Sequence, residues 1–102
     1  MLKNLEELIL IIRDRKKNPK DLSYTNKLLN DNLLSIGKVK EEVSELIEAV
    51  EKNSNKIHEA ADVLYHLFVY LERNEVKIED VMKELEKRKK WAMIIIIFLQ
   101  KY

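Results

Sequence analysis

Apolar residues recur at helical intervals along most of the chain, and short polar breaks divide them into a few long helices. Leu2, Leu5, Leu8, Ile9 and Ile12 share one face and predict a first helix to about Lys16. Asn18-Pro19 ends it. Asp21 to Thr25 reads as a loop in which Ser23 or Thr25 caps a short helical turn over Asn26 to Leu29. Ile36, Val39, Val43, Leu46 and Val50 alternate threes and fours, a stripe that predicts a helix from about Leu33 to Lys52. Asn53-Ser54-Asn55 is the next turn. A helix from about Lys56 to Arg73 follows, its stripe made of Ile57, Ala60, Ala61, Leu64, Leu67, Phe68 and Leu71. The last predicted helix runs from about Ile78 to Lys90, with Val81, Met82 and Leu85 inward. Long helices joined by short links predict an all-α fold, an antiparallel helical bundle.

The chain has 102 residues, so one domain is expected, and it is small for burying a large core. The helix from Lys56 to Arg73 carries more apolar surface than one small bundle covers, so a homodimer is expected to complete the fold. One Gly and one Pro leave little to break helices. The absence of Cys excludes disulfides, thiolate zinc sites and a cysteine nucleophile. A net charge of +1 gives no case for binding nucleic acid. The amphipathic, acidic start does not read as a signal peptide, and a cytoplasmic protein is expected. Residues 1–90 read as the domain and 91–102 as an apolar tail of no assigned role. Trp91 to Leu99 is nine consecutive apolar residues behind Lys87-Arg88-Lys89-Lys90, too few to span a bilayer. Packing against a partner subunit is the favoured reading of this run, over contact with a membrane. An Ile-rich run of this kind also carries a strand-forming, aggregation-prone risk.

Two acidic pairs of matching spacing stand out against this pattern. Glu42 and Glu45 are three apart, as are Glu59 and Asp62, and residues three apart share a helix face. From Ala60 to Leu71 only Asp62 and His66 are polar. A carboxylate in such surroundings must be paired, neutralised or metal-bound. Four carboxylates from two facing helices make a hard oxygen site suited to Mg²⁺, which is chiefly useful for handling phosphates. Glu59, Asp62 and His66 lie roughly opposite the Ala60, Leu64, Leu67 and Leu71 stripe, so the acids line a cleft while the stripes form the core. Glu48 reads as solvated helix face, and Glu41 is open between that and the site. His66 reads as a polar contact or packing residue, since Mg²⁺ prefers oxygen. Tyr65, Phe68 and Tyr70 read as core or dimer interface. Arg13, Arg15 and Lys16 read as a solvated helix end, with extra charge for a substrate as the alternative.

These motifs resemble those of the MazG-type all-helical nucleoside triphosphate pyrophosphatases, whose signature is E-x-x-E followed by E-x-x-D. More narrowly they are similar to the phosphoribosyl-ATP pyrophosphatase family of histidine biosynthesis. Ser23-Tyr24-Thr25 looks like its S-Y-T segment. Lys38-Val39-Lys40-Glu41-Glu42-Val43-Ser44-Glu45 resembles its K-V-G-E-E-x-x-E, and Glu59 to His66 its E-A-A-D-L-L-Y-H. Ile78-Glu79-Asp80-Val81 to Arg88 looks like its closing segment. The resemblance spans about Leu5 to Lys89. Lys40 departs from it, standing where the family has Gly.

The resemblance implies Mg²⁺-dependent hydrolysis of 1-(5-phosphoribosyl)-ATP, with water attacking the α-phosphorus and pyrophosphate leaving. It implies Glu42, Glu45, Glu59 and Asp62 as metal ligands and Glu41 as the residue that positions or deprotonates water. Ser23, Tyr24, Thr25, Lys27 and Lys38 are the implied substrate contacts, and the active unit is a homodimer. Two competing readings remain. One is a house-cleaning pyrophosphatase using the same acids on another nucleoside triphosphate. The other is a helical interaction module using the Ile36 to Val50 stripe as a coiled-coil seam, which leaves Asp62 unexplained.

Overall fold

The computed structural model describes residues 1–101, with side chains except those of 95–99 and 101. It is all-helical: α1 (Lys3–Lys17), α2 (Tyr24–Asn30), α3 (Asn32–Lys52), α4 (Lys56–Arg73) and α5 (Ile78–Lys101), with no strand among the described residues. Each boundary has a local cause. Ser23 caps α2 by accepting from the Asn26 backbone N–H, and Asp31 caps α3 through the Leu34 N–H. Tyr24 and Thr25 therefore lie on the first turn of α2 and not in a loop, a correction to the sequence pattern.

The link between α3 and α4 depends on asparagine. Asn53 and Asn55 both take left-handed backbone conformations, with φ of 52° and 57°. Ser54 N–H donates to the Ala49 carbonyl and Asn53 N–H to that of Val50. This is a Schellman closure, and Asn tolerates the conformation it needs. Glu75 makes the same closure after α4, with φ 57° and its neighbour Val76 donating to the Leu71 carbonyl. Val76 lies with Leu71, Phe68, Ile9 and Ile12 around a small apolar gap, the hydrophobic contact that accompanies such a cap.

The core sits where α2 is gripped between α1 and α4. Ile12, Leu28, Leu29 and Val69 are buried together, with Leu8, Leu34, Tyr65 and Phe68 packed around them. Buried Asn26 adds polar glue. Its side-chain amide donates to the Arg15 carbonyl, and its side-chain oxygen accepts from Lys20 N–H. Arg13 reaches from α1 to Glu72 of α4 and Glu79 of α5, and Lys16 donates to the Glu72 carbonyl. These cations serve as ties between helices. The guanidinium holds the Glu79 carboxyl down to about 2.

The most extensive interface, α3 against α4, departs from the stripe reading. On α3 the buried line is Ser35, Glu42 and Ala49, one face at intervals of seven. Val43, Ile47 and Val50 are exposed, as are Ile57 and Leu64 on α4. On α4 the buried residues are His66 and Val69, on the acid-bearing side. On α3 and over the first half of α4 the apolar stripes therefore do not form the core of the single chain, whereas Phe68, late in the α4 stripe, packs against it. Helix α5 also differs from the expected stop near Lys90. It continues to Lys101, because no Gly or Pro interrupts residues 78–101.

Glu75 carries a strained conformation that glycine adopts freely. Glu75→Gly should raise unfolding free energy by about 1 kcal/mol in urea titrations. Its exposed ion pair with Lys16, at 3.8 Å, offers little to lose. A destabilised variant would show that this cap is not strained.

Candidate functional site

Helices α3 and α4 bring the two acidic pairs together. Glu42 lies near Glu45, Asp62 and His66, and Glu45 and Asp62 are near enough to repel the Glu59 carboxylate. Glu42 is buried and Glu45, Glu59 and Asp62 are half-buried. Among the described residues the buried Oε2 atoms of Glu42 and Glu59 find no hydrogen-bond partner. Both carboxyls are pushed above their ordinary range, first by burial and then by repulsion from Glu45. Asp62 adds to that repulsion at both.

The acids fall into two groups of ligand-capable atoms, each within 4.8 Å: Glu41 with Glu42 and Glu45, and His58 with Glu59 and Asp62. His58 Nε2 is 3.3 Å from Asp62 Oδ2. Its place beside the acids was missed in the sequence, although four-residue spacing from Asp62 was a usable signal. Glu41 is more exposed and pairs with Lys38, Nζ to Oε2, at 3.1 Å. That contact holds the Lys38 ammonium above its usual range.

The donor set fits a hard divalent cation. All four central groups offer carboxylate oxygen, the preferred ligand of Mg²⁺. Two buried oxygens lack any partner, and an unsatisfied buried carboxylate is costly. Lys38 is already engaged by Glu41 and leaves that deficit standing.

The S-Y-T segment arrives at this site through α2. The Tyr24 hydroxyl is 2.9 Å from His66 Nε2, and the Thr25 and Tyr65 hydroxyls bond each other. Lys38, Glu41 and Glu42 are close enough to act on the Tyr24 hydroxyl, whose pKa burial pushes up. Ser23 is occupied as the helix cap. Lys27 is exposed and, with Pro19, Asp21, Ser23, Tyr24 and Asn30, borders an open groove of about 550 Å³. A second recess of about 190 Å³ is lined by Glu45, Glu48, Lys52, Asn55 and Glu59 at the α3–α4 turn. Arg13 and Lys16 are bound up with Glu72, Glu75 and Glu79, and Arg15 pairs with Asp14.

An E-x-x-E helix set against an E-x-x-D helix in an all-helical chain agrees with the class of MazG-type nucleotide pyrophosphatases. Within it, the chain belongs to the phosphoribosyl-ATP pyrophosphohydrolase family, whose model matches residues 5–89. It is 48% identical over 90 residues to the phosphoribosyl-ATP pyrophosphatase of Clostridium novyi, covering 84% of this chain and 81% of that one. Against the protein of the same name from Clostridium acetobutylicum, identity is 46% over 88 residues, or 82% and 79% of the two chains. It is also 44% identical over 91 residues to the histidine biosynthesis bifunctional protein HisIE of Pyrococcus furiosus, covering 88% of this chain and 42% of that one.

The crowded acids predict a pH signature. A carboxyl whose folded pKa is raised is better tolerated protonated, so its contribution to stability is fully present below the ordinary value of 4.5. That contribution is lost as pH rises through the raised value. Glu42→Gln should therefore stabilise the metal-free protein at pH 7 relative to wild type, and the gain should vanish below about pH 4.5. Thermal melts in chelator across pH check this; a variant less stable at pH 7 would contradict it.

Proposed function

We propose that this chain hydrolyses 1-(5-phosphoribosyl)-ATP to 1-(5-phosphoribosyl)-AMP and pyrophosphate, the second step of histidine biosynthesis, with Mg²⁺ held by Glu42, Glu45, Glu59 and Asp62. The observation that carries the reading is the convergence of these acids with two buried, unpartnered oxygens. The names of the relatives support the substrate. When bound, Mg²⁺ would neutralise triphosphate charge and favour departure of pyrophosphate.

The chain's own residues supply the rest. Glu41, adjacent to the ligand set and partly exposed, accepts a proton from the attacking water. Lys38 is held in place by Glu41 and meets a phosphate oxygen as that proton moves. Lys27 adds positive charge beside the groove along Ser23 and Tyr24. Thr25 acts from behind, holding α2 to Tyr65.

We further read the fold as an antiparallel bundle completed by a second copy. Glu45 meets Glu59 while Glu42 meets Asp62, so positions advancing along α3 recede along α4. Val43, Ile47 and Val50 of α3, with Ile57 and Leu64 of α4, remain exposed and suit a homodimer contact. Residues 1–90 are taken as the catalytic domain and 91–102 as a tail beyond it. Among the described residues no helix is long and apolar enough to cross a membrane. A cytoplasmic enzyme without membrane or nucleic-acid partners is the corresponding reading.

The decisive assay is pyrophosphate release from phosphoribosyl-ATP with Mg²⁺ and with chelator. Release that requires Mg²⁺ is expected, together with a rise in melting temperature on adding Mg²⁺. A folded protein that binds Mg²⁺ yet leaves this substrate intact, while cleaving another nucleoside triphosphate, would establish the house-cleaning reading instead. Asp62→Asn should lower kcat/KM by at least about a hundredfold with helical circular dichroism preserved. Retained activity would remove Asp62 from the ligand set.

A further inference from the structure

His66 is buried beside the acids, yet the chemistry proposed above does not use it. Its Nδ1 lies 2.8 Å from the Asp62 backbone carbonyl oxygen, one turn back on α4. A carbonyl only accepts, so Nδ1 carries the ring proton. In the neutral ring Nε2 is then a lone-pair acceptor. The Tyr24 hydroxyl, 2.9 Å from Nε2, is therefore the donor of that bond.

A phenol has one proton to give. With that proton directed to His66, the Tyr24 oxygen offers only lone pairs to anything entering from the site. The rings reinforce this arrangement. Tyr24 stacks on Tyr65 at 6.3 Å and 22°, and His66 meets Tyr24 and Tyr65 edge-on at 5.8 and 5.0 Å. The bond between the Thr25 and Tyr65 hydroxyls anchors the next residue of α2 to the same helix.

We infer that His66 is a positioning residue that fixes the Tyr24 oxygen as a hydrogen-bond acceptor at the edge of the acidic site. Tyr24 thereby selects a donor on the nucleotide, a hydroxyl or amino group, and not a phosphate oxygen. Phosphate oxygens are themselves acceptors and would meet its lone pairs unfavourably. Lys38, close enough to act electrostatically on the Tyr24 hydroxyl, serves phosphate instead. The inference rests on the function proposed above and specifies how the non-phosphate part of the substrate is held.

The test is a double-variant cycle on the full chain, read as kcat and KM for phosphoribosyl-ATP. Tyr24→Phe removes the acceptor, and His66→Phe removes its anchor while keeping a ring in the space. Each should raise KM about tenfold, the worth of one hydrogen bond, with the loss falling on KM and not on kcat. The double variant should lose no more than either single one, because the two act as a unit. His66→Gln, whose amide oxygen also accepts from Tyr24, should recover most of the loss. Additive losses, or a KM unchanged in Tyr24→Phe, would overturn the inference. Should His66→Phe fail to fold, the comparison of Tyr24→Phe, at a position 44% exposed and with its ring retained, against His66→Gln decides: only the first should raise KM.

Long-range ¹⁵N NMR of the wild-type imidazole gives a readout independent of turnover. A protonated Nδ1 and a bare Nε2 are expected, and the opposite tautomer would overturn the inference. If the wild type releases no pyrophosphate, the functional proposal fails, while the tautomer still decides the His66–Tyr24 arrangement.

Discussion

Mutual repulsion among carboxylates held between two packed helices is the constraint on which the rest of this structure depends. Glu42, Glu45, Glu59 and Asp62 occupy the face that would ordinarily be the apolar seam of α3 and α4. Burying like charges opposes the packing of those helices. The fold tolerates it because stability is gathered elsewhere, in the cluster of Ile12, Leu28, Leu29 and Val69. Helix α2 is thus both the centre of the core and the carrier of the residues that approach the acids.

The division of positive charge follows the same logic. Arg13 and Lys16 are spent at the far end, on the junction of α1, α4 and α5. Lys38 remains beside the acids, and its own partner is Glu41. Among the described residues nothing satisfies the Glu42 and Glu59 oxygens, the condition a site needs if an external cation is to bind strongly. A lysine placed to quench them would have made a more stable helix pair and a poorer binding site.

Periodicity located the helices well, because apolar spacing and the breaks at Asn18-Pro19 and Asn53-Ser54-Asn55 are local signals. It identified the inward face of α1, where Leu8 and Ile12 join the core, and failed on α3 and the first half of α4. A stripe such as Val43 and Val50 is apolar whether it meets this chain's own core or a different surface, and the sequence holds no sign of the difference. The acidic pairs were legible from spacing, since one helical turn dictates a shared face. The contacts of Tyr24 with His66 and of Thr25 with Tyr65 were not, because they join residues about forty positions apart. Asn26 was hidden for another reason. Its value lies in bonding two backbone groups of the preceding segment, and side-chain patterns do not register that. The end of α5 is not legible from periodicity, because the continuous apolar run after Lys90 has no helical spacing to read, yet it continues the helix.

The three-residue turn Asn53-Ser54-Asn55 has a further meaning. By tying the E-x-x-E helix to the E-x-x-D helix at their adjoining ends, it joins the two acidic pairs through a short tether. Each pair meets the other at the high effective concentration of a short link and not by diffusion. The entropy of assembling the carboxylates is therefore borne by folding. An added residue in this turn would alter the phase of α4 relative to α3, since each helical residue turns about 100°. The length of the turn therefore acts as a phase-setting element for the acidic cluster, although it contributes no carboxylate to it.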